Sequence, residues 1–338
     1  MATANQVLAL LRSHVEGDEE QLLSIALQVA AAEARRGRAD KAEEFRDLVE
    51  QARKRLAVNR KSLSSTPTTL AKPRGELAAL LNSIDPKTRL SDMVLSEDVS
   101  ERLEGLLHQQ RQRARLRDFG QRPNAHLLLV GPPGSGKTMT AHALAGELGL
   151  SLLSVRLDNL ITRYLGETAA RMRQVFDEIT NRRAVYLFDE FDALGASRDR
   201  LNDVGEIRRV LNSFLQFIEE PNSTDSVVIA TTNHPGILDH ALLRRFDDVI
   251  RYQLPDKDQA RAIISQQLGA MGVGLKGWVP IVNAAHGLSH AEITHATLDA
   301  LKQAILDDKD TVDAARLRRA LNTRRSMRDS MDALVSKE

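Results

Sequence analysis

The run Gly131-Pro132-Pro133-Gly134-Ser135-Gly136-Lys137-Thr138 fits the pattern G-x-x-x-x-G-K-[ST] at every fixed position. These residue types suit the holding of a chain of phosphates. The glycines allow a turn tight enough for backbone N–H groups to point inward at an anion, and a helix starting near Lys137 would add the positive end of its dipole. Lys137 is spaced to reach the β and γ phosphates of a nucleoside triphosphate. The Thr138 hydroxyl can complete a Mg²⁺ shell, with Met139 next to it at the edge of the nucleotide site. Asp189 and Glu190 are a second candidate pair: the first suits a metal held through water, the second a water polarised for in-line attack on the γ-phosphate. Asn233 offers an amide that could orient the same water, although an asparagine after a strand is by itself a common turn residue. Arg244 and Arg245 would bring the additional positive charge that phosphoryl transfer favours.

Each of these groups follows or precedes a short apolar run. His126–Val130 leads into the glycine-rich loop, Ala184–Phe188 ends at Asp189, Ser226–Ala230 leads through Thr231 and Thr232 to Asn233, and Val249–Tyr252 follows the two arginines. Runs of this length with β-branched and aromatic residues read as buried strands. Strand, loop and helix in that order are the context the phosphate-binding pattern needs.

The remaining chain divides by composition. Residues 1–58 are rich in Ala, Leu, Glu and Arg, with Leu22, Leu23, Ile25, Ala26, Val29 and Ala30 at helical spacing, a break at Gly37, and a second pattern from Phe45 to Leu56. This predicts a small all-α N-terminal domain. Residues 59–75, with many Ser, Thr and Pro, read as a flexible linker. Helical patterns from residue 255 to 338 are interrupted between Gly272 and Trp278 and at Gly287. The arginines Arg316, Arg318, Arg319, Arg324, Arg325 and Arg328 are diluted by Asp313, Asp329 and Asp332 and read as a solvated helix face rather than a nucleic-acid contact.

Composition narrows the choice of partners. With 338 residues, 42% of them hydrophobic, the chain has ample material for a core, and its net charge of +1 gives no general pull toward nucleic acid or anionic lipid. Neither is expected as a partner. The absence of cysteine excludes disulfides and thiolate chemistry. No apolar run approaches bilayer length and the first residues lack a signal-peptide pattern, so the expected compartment is the cytoplasm.

Taken together, the motifs resemble those of the AAA+ ATPases, and within them the AAA group proper that includes katanin, spastin and FtsH. The resemblance covers roughly residues 75 to 320. Gly131 to Thr138 resembles the family's Walker A, residues 186–194 (YLFDEFDAL) its Walker B, Ala230-Thr-Thr-Asn233 its sensor 1 strand, and Asp239 to Phe246 the segment carrying its arginine fingers. It implies a P-loop, three-layer αβα domain over 76–254 with a helical lid over 255–338, ATP and Mg²⁺ as ligands, and a homo-oligomer, a hexamer. Arg244 and Arg245 would then act on the ATP of a neighbouring subunit, and which of them leads is left open by their adjacency. Gly205-Glu206 with Arg208 and Arg209 resembles the family's intersubunit stretch. Arg163-Tyr164-Leu-Gly-Glu resembles pore loop 1, in which Tyr164 would grip a polypeptide substrate; a packed Tyr at a helix start is the alternative.

The lid departs from the family pattern, with His290 in Gly287-Leu-Ser-His-Ala-Glu-Ile293 where a small glycine is usual. His286 and His290 stand four apart, with His295 beyond, yet no H-E-x-x-H accompanies them and a metal is not expected there. The sequence contains one phosphate loop and neither G-x-S-x-G nor H-E-x-x-H, so any proteolysis is expected from a partner. The layout, opening near Ala9-Leu-Leu-Arg12-Ser-His14, resembles bacterial ATPases encoded beside a subtilisin-like serine protease in plasmid-maintenance or phage-defence operons. The function implied is ATP-driven remodelling or translocation of a protein. An ATP-gated scaffold and a DNA-directed regulator are the competing readings, the first disfavoured by Glu190 and the arginines, the second by Tyr164.

Overall fold

A strand buried on both faces needs apolar residues at every position rather than at alternate ones, and the runs ahead of the candidate site residues meet that need. The computed structural model describes residues 75–160, 165–192, 213–234, 236, 243–272 and 275–335. The N-terminal helical domain expected over 1–58 and the linker up to residue 74 lie outside them. In chain order the elements are α1 (Glu76–Leu80), β1 (Leu81–Ile84), α2 (Glu97–Arg111), α3 (Arg113–Asp118), β2 (His126–Val130), α4 (Lys137–Leu148), β3 (Leu152–Val155), α5 (Leu157–Leu160), α6 (Leu165–Asn181), β4 (Val185–Phe188), β5 (Val227–Thr232) and β6 (Asp248–Arg251). Four helices follow: α7 (Lys257–Leu268), α8 (Trp278–Ala285), α9 (His290–Leu306) and α10 (Ala314–Val335).

The strands form one sheet in the order β1-β3-β4-β5-β2-β6. All neighbours from β3 to β6 pair in parallel, and edge strand β1 pairs antiparallel with β3. Alternate residues of each strand enter different cores. Leu128, Val130, Tyr186, Phe188, Val228 and Ala230 pack with Met172, Val175 and Phe176 of α6 on one face. Leu127, Leu129, Val185, Leu187, Val227 and Ile229 pack with Leu103 and Leu107 of α2 and Ala141 and Leu144 of α4 on the other. This is the three-layer αβα arrangement expected from the sequence. Strand β5 extends past its apolar run to Thr232, because Leu129 and Val130 of β2 present ladder partners to Thr231 and Thr232, and threonine fits a pleated surface well. Strand β6 likewise opens one residue early, at Asp248.

Helices α7 to α10 close around Ile263, Ile264, Ile281, Leu288, Ile293, Leu317 and Leu321. The sequence breaks fall between α7 and α8 and between α8 and α9. The arginines of α10, read as a solvated face, turn out to be partly structural. Arg325 donates to the carbonyls of Asn283, Ala284 and His286, and Arg328 to that of Gly287. They satisfy the C-terminal carbonyls of α8, which have no partner within their own helix, and so tie α10 to the elbow that leads into α9. Among the described residues no helix is long and apolar enough to cross a membrane.

Candidate active site

The sheet's parallel strands bring the ends of β2, β4 and β5 side by side, and with them the residues separated in sequence. Gly136, in the left-handed region at φ 102°, ends the loop and caps α4. Lys137 at the helix start is 6% exposed, and its Nζ donates to Gly131 O at 2.8 Å, Pro132 O at 2.9 Å and Asn233 Oδ1 at 2.8 Å. Those three bonds use every proton of the ammonium. Burial lowers the pKa of Lys137, while Asp189, Asp192 and Glu190 oppose the shift. Thr138 Oγ1 lies 3.1 and 3.0 Å from the two carboxylate oxygens of Asp189. Loop and acid strand therefore meet directly.

Two fully buried rings, Phe188 and Phe191, flank the acids. They pack against Phe214 with ring centroids 5.2 and 4.6 Å away, which fixes the turn between them from below. Glu190 itself is exposed and has φ 51°, the left-handed region that costs a non-glycine residue about 1–2 kcal/mol. Its backbone N–H donates to Thr231 Oγ1 at 2.9 Å, and Thr231 Oγ1 donates to Asp189 Oδ1 at 2.6 Å. The N–H of Asn233 reaches Asp192 Oδ1 at 3.3 Å.

The lid completes the cavity. Ser289 caps α9 in a box with Glu292, and the Ala291 N–H donates to Gly134 O at 3.0 Å. A Cβ at position 134 would come within 2.8 Å of Ser289 Oγ, at a backbone φ of 72°, so glycine there lets the lid rest on the loop. The resulting cavity of about 420 Å³ is lined by Pro133, Gly134, Gly136, Lys137, Thr138, Met139, Asp189, Glu190, Thr231 and Asn233, and from the lid by His290, Ala291, Thr294 and His295. Burial lowers the pKa of His290, against a hydrogen bond to the Val94 backbone; its Nδ1 is buried without a hydrogen-bond partner. His286 ends α8 and His290 begins α9, so the two do not share a helix face.

Hard oxygens suit Mg²⁺, which takes few protein ligands and keeps several waters. The Thr138 hydroxyl and Asp189 carboxylate, in contact with each other at the cavity wall, fit that requirement.

Arg244 and Arg245 lie elsewhere. They precede β6, whose first residue pairs with Leu127 near the start of β2, so they sit at the opposite end of the sheet from the loop. The five residues of β2 span roughly 16 Å at about 3.3 Å each. Both arginines are exposed, and Arg245 pairs with Glu219. Asp247 anchors the segment, accepting from the Ala125 and His126 N–H groups at 2.8 and 2.9 Å. Burial would raise its pKa, but the hydrogen bonds from His126 and from these amides bring it below the ordinary carboxylate value. Tyr164 and the 205–209 stretch lie outside the described residues.

Thr231, Asp192, Tyr252 and Ser289 were not singled out from the sequence. Only Ser289 carried a local signal, the Ser-x-x-Glu capping pattern. Tyr252 packs its backbone against Gly131 and its hydroxyl lies 2.6 Å from Thr140 Oγ1.

A largely parallel sheet with a glycine-rich loop after β2, Lys-Thr at a helix start and paired acids at the end of β4, one strand removed, define a P-loop nucleoside triphosphatase with a helical lid. Residues 127–254 match the family model described as ATPase family associated with various cellular activities (AAA). A protein of Sinorhizobium fredii described as an uncharacterized AAA family ATPase is 34% identical over 326 residues, 95% of each chain. ATP-dependent zinc metalloprotease FtsH 2 of Sphaerobacter thermophilus is 33% identical over 271 residues, 77% of this chain and 40% of that one. The proteasome-activating nucleotidase of Saccharolobus islandicus is 34% identical over 226 residues, 64% of this chain and 57% of that one. The chain belongs to the AAA ATPase family and is an ATPase; it spans about half the length of the latter two relatives.

Proposed function

We propose that the chain couples ATP hydrolysis, in a ring of identical subunits, to the remodelling or translocation of a protein. In this reading the backbone of Gly131 to Gly136 and Lys137 hold the triphosphate, with Lys137 exchanging its contacts to Gly131 O and Pro132 O for phosphate oxygens. Thr138 and Asp189 would hold Mg²⁺, whose chemistry is to neutralise phosphate charge. Glu190 accepts the proton of the attacking water and Asn233 orients it. Met139, exposed at the cavity edge, touches the nucleotide. Arg244 and Arg245 stabilise the transferring phosphoryl group in the neighbouring subunit.

The observation that carries the ring is the position of the arginines. They stand a strand's length from their own loop, exposed, so a second copy is needed to bring them to a phosphate. Translocation rests on the resemblance of Tyr164 and its neighbours to a pore loop, and on relatives whose names join an ATPase to proteolysis. A separate protease partner, of the subtilisin-like class by the resemblance of the layout of the N-terminal segment, and a cytoplasmic location belong to the same proposal. The domain boundaries 1–58, 59–75, 76–254 and 255–338 belong to the same proposal: an adaptor, a linker, the ATPase domain and its lid.

The test is ATP turnover against protein concentration, with assembly state measured in the same samples, for wild type, Glu190→Gln and Tyr164→Ala. Turnover should rise cooperatively as rings form and vanish in Glu190→Gln, whereas Tyr164→Ala should hydrolyse ATP without unfolding a tagged protein substrate. Turnover independent of concentration would remove the ring, and unimpaired unfolding by Tyr164→Ala would remove the pore.

A further inference from the structure

We infer that Thr231 is a positioning residue for hydrolysis, whose hydroxyl locks Asp189 and Glu190 into their working orientations. The inference rests on the reading above that these two acids hold the metal and activate the water. It concerns a hydroxyl at the cavity wall whose bonds go to the acids.

Three bonds converge on this residue. The Glu190 N–H donates to Thr231 Oγ1 at 2.9 Å, Thr231 Oγ1 donates to Asp189 Oδ1 at 2.6 Å, and the Phe191 N–H donates to Thr231 O at 2.8 Å. The order of donation is fixed by the chemistry. A backbone amide can only donate, so it occupies a lone pair of the hydroxyl and leaves the single hydroxyl proton for the carboxylate. The bond to the carboxylate is charge-assisted, the stronger kind. Thr231 is 1% exposed, so its hydroxyl bonds are shielded from bulk water.

Each bond has a consequence for the site. Holding Oδ1 fixes the rotation of the Asp189 carboxylate, so that both its oxygens face Thr138 at 3.1 and 3.0 Å. Holding the Glu190 amide offsets the left-handed backbone at φ 51°, which is what turns the Glu190 side chain out into the cavity. Without that bond a partly buried donor loses its partner, and the turn gains by relaxing toward an ordinary conformation. One hydroxyl on β5 thus sets the directions of two carboxylates that stand at the end of β4. The parallel pairing of β4 and β5, with Phe188 opposite Ala230, places Thr231 one step past the strand end, level with the acids.

The experiment compares Thr231→Val, which keeps volume and removes the hydroxyl, with Thr231→Ala and with Thr231→Ser, which restores it. Measured are kcat, KM for ATP, affinity for a fluorescent ATP analogue, the Mg²⁺ concentration giving half-maximal analogue binding, and thermal unfolding. Thr231→Val is expected to lose kcat by about 10²-fold, the scale of a misplaced general base. Its analogue affinity in the absence of Mg²⁺ should equal that of wild type, and the Mg²⁺ requirement should rise. Thr231→Ser should recover most of kcat and the wild-type Mg²⁺ requirement. Wild-type kcat and Mg²⁺ dependence in Thr231→Val would overturn the inference, as would failure of Thr231→Ser to recover either. If Thr231→Val does not fold, Thr231→Ala against Thr231→Ser decides by the same readouts. Glu190→Gln and Asp189→Asn are run beside them: wild-type turnover in both would overturn the underlying reading of the acids, whereas their inactivity beside an unimpaired Thr231→Val would overturn the Thr231 inference alone.

Discussion

The two ends of the parallel sheet are built in opposite ways. At the end where β2, β4 and β5 finish, Lys137, Thr138, Asp189, Thr231 and Asn233 bind one another, and no proton of the Lys137 ammonium is left unused. At the end where β6 begins, Arg244 and Arg245 stand exposed beside the buried ring of Phe246 and the anchoring Asp247, with Arg245 in a surface ion pair to Glu219. A surface ion pair contributes little, about 0–1 kcal/mol, so the arginines are free to exchange it for a stronger anion. The first end is preorganised within one chain, whereas the second presents two exposed arginines, one of them in a surface ion pair. The contrast supports the proposed division of catalysis between copies.

The contrast can be broken at several points, in descending order of effect. Replacing both Arg244 and Arg245 by alanine should lower kcat by about 10³-fold or more while ATP affinity and melting temperature stay unchanged. A loss of affinity instead would place the arginines at their own chain's nucleotide. Glu190→Gln should lower kcat by about 10²–10⁴-fold with tight nucleotide retention, measured by single-turnover assays and analogue binding. Gly131→Ala tests the preorganised end sterically, since the new Cβ would lie 2.6 Å from Tyr252 O and 2.7 Å from Tyr252 Cβ. It should cost about 1–3 kcal/mol of stability, read from denaturant midpoints. Tyr252→Phe should cost about 1 kcal/mol. Burial holds the Tyr252 hydroxyl protonated, its pKa pushed up to about 12, and Thr140 keeps its bond to Gly136 O.

The smallest effect concerns pH. Burial holds His290 and His142 below the usual 6.5. As pH falls through that value the unfolded chain takes up protons first, so stability should fall with it. His290→Gln should flatten this part of the pH–stability curve. An unchanged slope would mean that the lid imidazole is not buried beside Val94.

The preorganised end was readable in the sequence to the extent that its groups are neighbours along the chain. Gly131 to Thr138 and the pair Asp189-Glu190 are contiguous motifs, and their strands announce themselves as apolar runs. What joins them was not readable, because Thr231 meets Asp189 and Glu190 only through the pairing of β4 with β5, and Tyr252 meets Gly131 across more than a hundred residues. Such contacts depend on which elements lie side by side, which the contiguous motifs do not encode. The docking of Ala291 on Gly134 was hidden for the same reason, although the capping box at Ser289 marks where α9 begins. The arginines of α10 show the converse: their spacing reads as a solvated face, and only the fold reveals open carbonyls within reach of Arg325 and Arg328.

The most direct measurement mixes two inactive chains, Glu190→Gln and the Arg244→Ala, Arg245→Ala double variant. The first retains the arginines and the second retains Glu190, so a shared site can assemble only where one of each meets. Turnover absent from either alone should appear on mixing and peak at intermediate ratios. Co-assembly without any turnover at every ratio would contradict a site divided between neighbouring copies.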